Sequence, residues 1–156
     1  MKRNHLVMAT AALCAMTIAA AGCKSAGMAA TSRGQLFKIN INAPESLPEG
    51  SQENVDIVIS NRGVSNIRDV LVDVEMPAQL VVLNQTQPRG VSLEHDPGSN
   101  VYHFALGNLQ PGEDSLMRFN VRTAFGSSSE AIIDVNAWQR DLSDQHLRRK
   151  ATIRLR

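Results

Sequence analysis

The sequence predicts an all-β protein, an antiparallel β-sandwich of seven or eight strands that follows an N-terminal leader. Hydrophobic residues alternate with polar ones in one short segment after another from Gln35 onward, which is the pattern of half-buried strands. Turn-forming Gly, Pro, Asn and Asp residues separate these segments. No segment after Cys23 keeps a helical period of about 3.6 residues over three turns.

The leader, residues 1–22, has the form of a signal peptide. Lys2 and Arg3 make a basic start, and an uncharged stretch of 16 residues follows from Leu6 to Ala21. A membrane-spanning helix needs roughly 20 apolar residues, so this stretch fits the apolar region of a secretory signal better than a membrane anchor.

The residues before Cys23 predict its modification. Ala20-Ala21-Gly22-Cys23 resembles the lipobox of bacterial lipoproteins, with Ala20 where that family usually has Leu. In the family the cysteine becomes the first mature residue and carries lipid on its sulfur and amino group. Cleavage without lipidation would leave one unpaired cysteine, because Cys14 departs with the leader. We therefore expect lipid attachment at Cys23, which holds the protein on a membrane without spanning it.

The residues after Cys23 predict the location and the domain layout. Lys24 stands where an aspartate often marks inner-membrane retention in enterobacterial lipoproteins. By that resemblance we expect a cell-envelope protein on the periplasmic side of the outer membrane. Residues 23–34 are small and polar and predict a flexible tether. Residues 35–156 then form one domain.

Composition excludes several classes of function. Without Lys2 and Arg3, the remaining 14 Lys and Arg residues face 15 Asp and Glu residues. Such a balance argues against general nucleic-acid binding, which depends on phosphate contacts. With Cys23 acylated and Cys14 removed, no cysteine remains for a disulfide or a thiolate metal site. An ordinary hydrophobic core must therefore stabilise the domain.

The individual strands follow from the alternation. The first is LFKININ, and the next stretch, 43–50, contains Pro and Gly residues that predict no regular element. GVSLEHD is a weaker edge candidate. The other predicted strands are NVDIVISN, IRDVLVDVEMP, QLVVL, VYHFALGNL, SLMRFNVRT, AIIDVNAWQ and LRRKATIRLR. Turns are predicted at 61–63, 96–98 and 110–113.

Three of these features occur in an order that resembles a known family. They are the turn Asn61-x-Gly63, the strand that ends at Pro77, and the corner Leu109-x-Pro111-Gly112. Over 53–155 the chain is similar to the conserved-repeat domain of unknown function of bacterial envelope proteins, the eleventh in that naming series. The resemblance implies an Ig-like sandwich akin to CARDB adhesion modules. Only one copy is present here, which argues against the adhesive stalk that the family's tandem arrays form.

No catalytic constellation is expected. The serines at 127–129 lack the Gly-x-Ser-x-Gly context of a nucleophile. The acidic pairs Glu113/Asp114 and Asp141/Asp144 stand beside turns, where solvated carboxylates are commoner than acid–base pairs. The sequence therefore predicts a protein that is not an enzyme and has no cofactor.

No metal site is expected either. His95, Asp96 and His103 are close in sequence, but no further ligand stands at a spacing that is diagnostic of a metal site, and His146 falls in a different loop. Zinc sites need three or four convergent ligands, so a polar hairpin is the favoured interpretation of these residues.

Two groups of residues are candidates for an interaction surface. Arg148, Arg149 and Lys150 make the C-terminal strand strongly basic. This pattern indicates either a patch for an anionic partner or, as we favour, a charged edge that resists aggregation. Trp138 should face away from Ile133. It is either an exposed anchor for a partner or, the favoured interpretation, a partly buried aromatic between strands.

The leading hypothesis is a non-enzymatic, lipid-anchored module that binds another envelope protein, by an added strand or by a loop cluster. The alternative is a module for glycans or small ligands, with Trp138, Tyr102 and His103 as an aromatic platform. A hydrolase would need three polar side chains that converge in a pocket.

Overall fold

The computed structural model describes residues 37–126 and 130–156. The predicted signal peptide and tether, with Cys23 and its lipobox, lie outside the described residues, as do the serines at 127–129. In the described part, no helix has the length and apolar character that a membrane crossing requires.

The described residues form ten strands and one short 3-10 helix. In chain order these elements are β1 (Phe37–Asn42), β2 (Ser46–Leu47), β3 (Gln52–Asn61), β4 (Ile67–Glu75), β5 (Leu80–Thr86), β6 (Ser92–His95), β7 (Val101–Leu109), β8 (Asp114–Thr123), β9 (Glu130–Gln139), the 3-10 helix Arg140–Leu142 and β10 (Leu147–Leu155).

The strands form two sheets that enclose one core. The four-stranded sheet has the order β1-β3-β8-β5, and the six-stranded sheet has the order β2-β10-β9-β4-β7-β6. Every pair is antiparallel except β2 with β10. The predicted antiparallel β-sandwich is therefore confirmed, with one core between the inner faces of the two sheets.

The strand β2 corrects the sequence prediction for 43–50. Prolines on both sides confine β2 to two residues, yet Ser46 and Leu47 pair in parallel with Arg154 and Leu155. Leu47 is only 1% exposed, so burial of its side chain fixes this short strand. The strand count exceeds the predicted seven or eight, because β2 is added and the weaker edge candidate GVSLEHD forms β6.

The alternation of hydrophobic and polar residues along the strands correctly predicts which residues form the core. The predicted inward residues of β4, β7, β8 and β9 are buried, and the rings of Phe104 and Phe119 meet edge to face at 6.0 Å across the two sheets. Tyr102 packs against Phe119 in the same way, with ring centroids 5.1 Å apart. Such edge-to-face contacts add to the free energy of burying the rings.

A bulge breaks the alternation of β4. The register against β7 shifts between Ile67 and Val70, and Asp69 has a φ of 48°. Its backbone N–H donates to the side-chain oxygen of Asn108. The bulge inserts an unpaired residue, so Ile67 and Val70 are both buried although they are three positions apart.

Candidate interaction face on the six-stranded sheet

The outward side chains of β9, β4 and β7 form three rows across the middle of the six-stranded sheet, which we call the outer face. From β9 to β7, the rows are Trp138–Leu71–Ala105, Asn136–Asp73–His103 and Asp134–Glu75–Val101. Strand register alone brings these side chains together, since directly opposed residues lie on the same side of a sheet.

Two adjoining depressions occupy this face. The larger, of about 600 Å³, has Leu71 and Ala105 in its lining, together with Trp138, His103 and Glu94. The smaller, of about 250 Å³, includes Glu75, Asp134, Asn136 and Arg148 in its lining. Both contain Asp73, so they form one shallow groove along β4.

Asp134 is the best-anchored charge beside the groove. Its carboxylate accepts hydrogen bonds from Arg148 Nε at 2.8 and 2.9 Å and lies 3.2 Å from Lys150 Nζ. Asp134 is 8% exposed, while both cationic side chains are exposed. Burial by itself raises the pKa of Asp134, but the hydrogen bonds and charges of Arg148 and Lys150 outweigh it, so the pKa lies below 3.8.

Trp138 is half-buried and lies under His146, with ring centroids 4.9 Å apart and planes 27° from parallel. His146 Nε2 is 2.7 Å from the carbonyl oxygen of Ser143, so it must carry the proton and donate. His146 Nδ1 then accepts from Asn136 Nδ2 at 2.8 Å. This chain of bonds holds the imidazole ring in place over the indole.

His103 and Asp73 form the polar centre of the groove. They are directly opposed on β7 and β4, and His103 Nδ1 lies 2.6 Å from Asp73 Oδ1. The ring nitrogen donates to the carboxylate, which fixes the orientation of both side chains.

The structure separates some of the residues that the sequence analysis grouped as a basic patch and as an aromatic platform. Arg148 and Lys150 share the outward side of β10 and both bind Asp134, while Arg149 points to the inner side of that strand. Trp138 and His103 line the same depression. Tyr102 instead faces the core beside Phe119, so the aromatic platform that includes Tyr102 is wrong.

His95 and His103, which are close in the sequence, also lie apart in the structure. His95 stacks on Tyr102 with ring centroids 4.0 Å apart, whereas the side chain of His103 joins the groove. Across 37–126 and 130–156, no three His, Cys, Asp or Glu side chains come together in a way that could hold a metal ion.

Sequence reasoning missed the residues that hold the groove together: Asp73, Asp134, Asn136 and His146. Alternation does place Asp73 and Asp134 on the outward side of their strands. Their partners come from other strands, and the register that joins them depends on the bulge in β4 and on the position of β9 beside β4.

Comparison with known proteins identifies the fold. No protein-family model matches the chain, and no curated protein matches it. Among solved structures, the cohesin of a type I cohesin–dockerin complex from Clostridium thermocellum matches with a TM-score of 0.56 and 8% identity, over 78% of this chain and 100% of that one.

Two further structures illustrate how widely this fold is used. A CARDB domain from Pyrococcus furiosus, solved with di-metal ions, matches with a TM-score of 0.51 and 11% identity, over 77% of this chain and 87% of that one. AvmM, which catalyses macrocyclization in alchivemycin A biosynthesis, matches with a TM-score of 0.52 and 14% identity, over 77% and 88%. The chain therefore has the Ig-like β-sandwich fold of CARDB and cohesin domains, a fold that also serves an enzyme.

Proposed function

We propose that this chain is a non-enzymatic, lipid-anchored module of the bacterial cell envelope that binds another envelope protein through the outer face. The groove along β4 is the observation that carries the proposal. It combines the apolar side chains of Leu71 and Ala105 with the aromatic ring of Trp138 and fixed charges around them. The apolar and aromatic row thus lies beside the polar row of Asp73 and His103, and protein-binding surfaces combine these two kinds of contact.

The side chains of the groove are held before any partner arrives. Asp73 is bound to His103, Asp134 to Arg148, and Trp138 is covered by His146. Ordering a mobile side chain on binding costs about 0.5 to 1.5 kcal/mol. A partner that docks here avoids much of this cost, and Trp and Arg are the residues that most often dominate binding energy.

A lipid anchor at Cys23 would keep the domain at the membrane surface. Phe37 pairs with Asn61 at the start of β1, so a tether that precedes β1 would meet the sandwich beside the Asn61 turn. The predicted tether, residues 23–34, would span at most roughly 43 Å at about 3.3 to 3.6 Å per residue. A domain on such a tether can meet partners that stand on the membrane or beside it.

Glycan binding is the second candidate function, because Trp138 and His103 line one depression. His146 covers one face of the indole, which leaves a smaller stacking surface for a sugar ring. Titration with soluble peptidoglycan or lipopolysaccharide fragments, followed by the fluorescence of Trp138, tests this function directly. A saturable change supports glycan binding, and an unchanged signal removes it.

The proposed function is tested by in-cell crosslinking and mass spectrometry on the wild-type protein and on Cys23→Ser. Acylation is read from the mass of the N-terminal peptide in the same samples. We expect an acylated Cys23 and one envelope protein that is captured by the wild type and lost from Cys23→Ser. If both proteins capture nothing specific, the protein-binding function is wrong. If capture persists without the lipid, the anchor has no part in it.

A further inference from the structure

The edge strands of the sandwich differ in how they resist pairing with other chains. Unpaired edges usually carry charged side chains, which prevent the addition of another strand. The outermost strands are β1 and β5 in one sheet and β2 and β6 in the other. β1 has Lys38, and β6 is short and has Glu94. β2 pairs with β10 only at Arg154 and Leu155, and the rest of that side of β10 has the exposed Arg148 and Lys150. In contrast, β5 has no charged residue from Leu80 to Thr86.

The side chains of β5 are unusually apolar for an exposed edge. Val81 is 39% exposed and Leu83 is 42% exposed. β5 pairs with β8 on one side only. The register between them shifts at Leu83, and this bulge leaves paired segments on both sides of it.

One unsatisfied polar atom lies beside this edge. In the described residues, three buried side-chain atoms lack a hydrogen-bond partner, and one of them is Arg122 Nε on β8, the strand next to β5. Another, Gln85 Oε1, is on β5 opposite Phe119 and therefore on the core side. Arg122 is directly opposed to Val81. Buried polar atoms without partners are rare, so a ligand that supplies a partner for Arg122 gains affinity here.

The charges near β5 define what would bind. Arg118 is neutralised by Asp56, with bonds of 2.6 and 2.7 Å. No acidic residue stands on β5 itself to face Arg122, and Arg89 follows in the next loop. The local charge is therefore positive beside an apolar strand edge.

We propose that the β5 edge accepts an extended segment of a partner protein as a fifth strand, with apolar side chains against Val81 and Leu83 and a carboxylate toward Arg122. Main-chain hydrogen bonds to β5 would supply affinity, and the carboxylate would supply specificity. This site lies on the opposite sheet from the groove and does not depend on the function proposed for the outer face.

Two labelled heptapeptides test the proposal by fluorescence anisotropy. One has the sequence VTETVTE, which puts valine and glutamate on the same side of an added strand, and the other has the sequence VTKTVTK. The wild-type domain should bind the glutamate peptide about tenfold more tightly or better, at low salt. Arg122→Glu should reverse this preference. Trp138→Ala, a change in the groove, should leave both affinities unchanged.

Hydrogen exchange locates the binding. Amides of 81–86 should exchange more slowly when the glutamate peptide is bound, and Leu83→Asp should weaken that peptide because it places a like charge on the edge. Circular dichroism confirms that each variant is folded. No binding of either peptide, equal binding of both, or protection elsewhere in the sandwich would overturn the proposal.

Discussion

The side-chain amide of Asn61 donates a hydrogen bond of 2.9 Å to the carbonyl oxygen of Leu109, 48 residues further along the chain. The same nitrogen donates to the carbonyl of Ser65 at 2.8 Å, and the amide oxygen accepts from the backbone N–H of Gly63 at 2.9 Å. Asn61 is fully buried. One side chain thus fastens the turn after β3 to the turn after β7.

Replacement of Asn61 should therefore destabilise the whole sandwich. Asn61→Ala leaves the carbonyls of Ser65 and Leu109 without this donor in a buried site, at a cost of about 2 to 4 kcal/mol. Asn61→Asp should cost at least as much, because a buried carboxylate faces carbonyl oxygens. Urea denaturation measures both values. Asn54→Ala, at an exposed position, is the control and should change stability by less than about 0.5 kcal/mol.

Gly112 should be far more sensitive to substitution than Gly98. In the turn 110–113, the N–H of Glu113 donates to the carbonyl of Gln110 at 3.0 Å, and Gly112 has a φ of 78°. Pro at the second and Gly at the third position suit a type II turn. Gly112→Ala should cost about 1 to 2 kcal/mol, whereas Gly98→Ala, without a positive φ, should cost less than about 0.5 kcal/mol. Equal losses on thermal unfolding would contradict this account.

These two turns show how far the sequence predicts the fold. Asn61, Gly63, Pro111 and Gly112 identify their turns locally, because each turn type demands those residues. The contact between the two turns cannot be predicted from the sequence, since it depends on which strands become neighbours. The short strand β2 escapes prediction for the same reason, because only β10 makes it a strand.

Asp134→Asn should reduce stability at neutral pH and much less in acid. The pKa of Asp134 is lower in the folded chain than its ordinary value of 3.8. The carboxylate therefore stabilises the fold above that value, and the effect is lost as pH falls through the folded pKa. Urea midpoints at about pH 7 and at a series of values from about pH 4 down to about pH 2 measure the difference between variant and wild type. Asp141→Asn, at an exposed position, is the control, and a gap that is the same at all these pH values would refute the assignment.

His146→Ala should expose the indole of Trp138. Trp138 is the single tryptophan of the chain, so its fluorescence reports this site alone. Loss of the stacked imidazole should shift the emission to longer wavelength and increase quenching by acrylamide. His95→Ala, which removes a ring from Tyr102 instead, should leave both quantities unchanged. An indole that is equally quenched in all three proteins would show that His146 does not shield it.

The candidate site is less predictable from sequence than the fold. Trp138, Arg148 and Lys150 stand out by residue type, and the structure places all three on the outward side of β9 and β10. Asp73 is 61 positions before Asp134, and only the pairing of β4 with β9 brings their rows together. Arg149 shows the converse: it is adjacent to Arg148 and Lys150 in the sequence, but the period of two places its side chain on the other side of β10.

Site-specific photocrosslinking in cells tests the central claim most directly. A benzophenone side chain is introduced at Ala105 in the groove or at Asn40 on β1 of the opposite sheet, each in the full chain with its lipid anchor. The account predicts that Ala105 yields one dominant envelope-protein adduct that decreases strongly in Trp138→Ala, while Asn40 yields none. An equal set of adducts from both positions, or none from Ala105 in a folded and acylated protein, would contradict it.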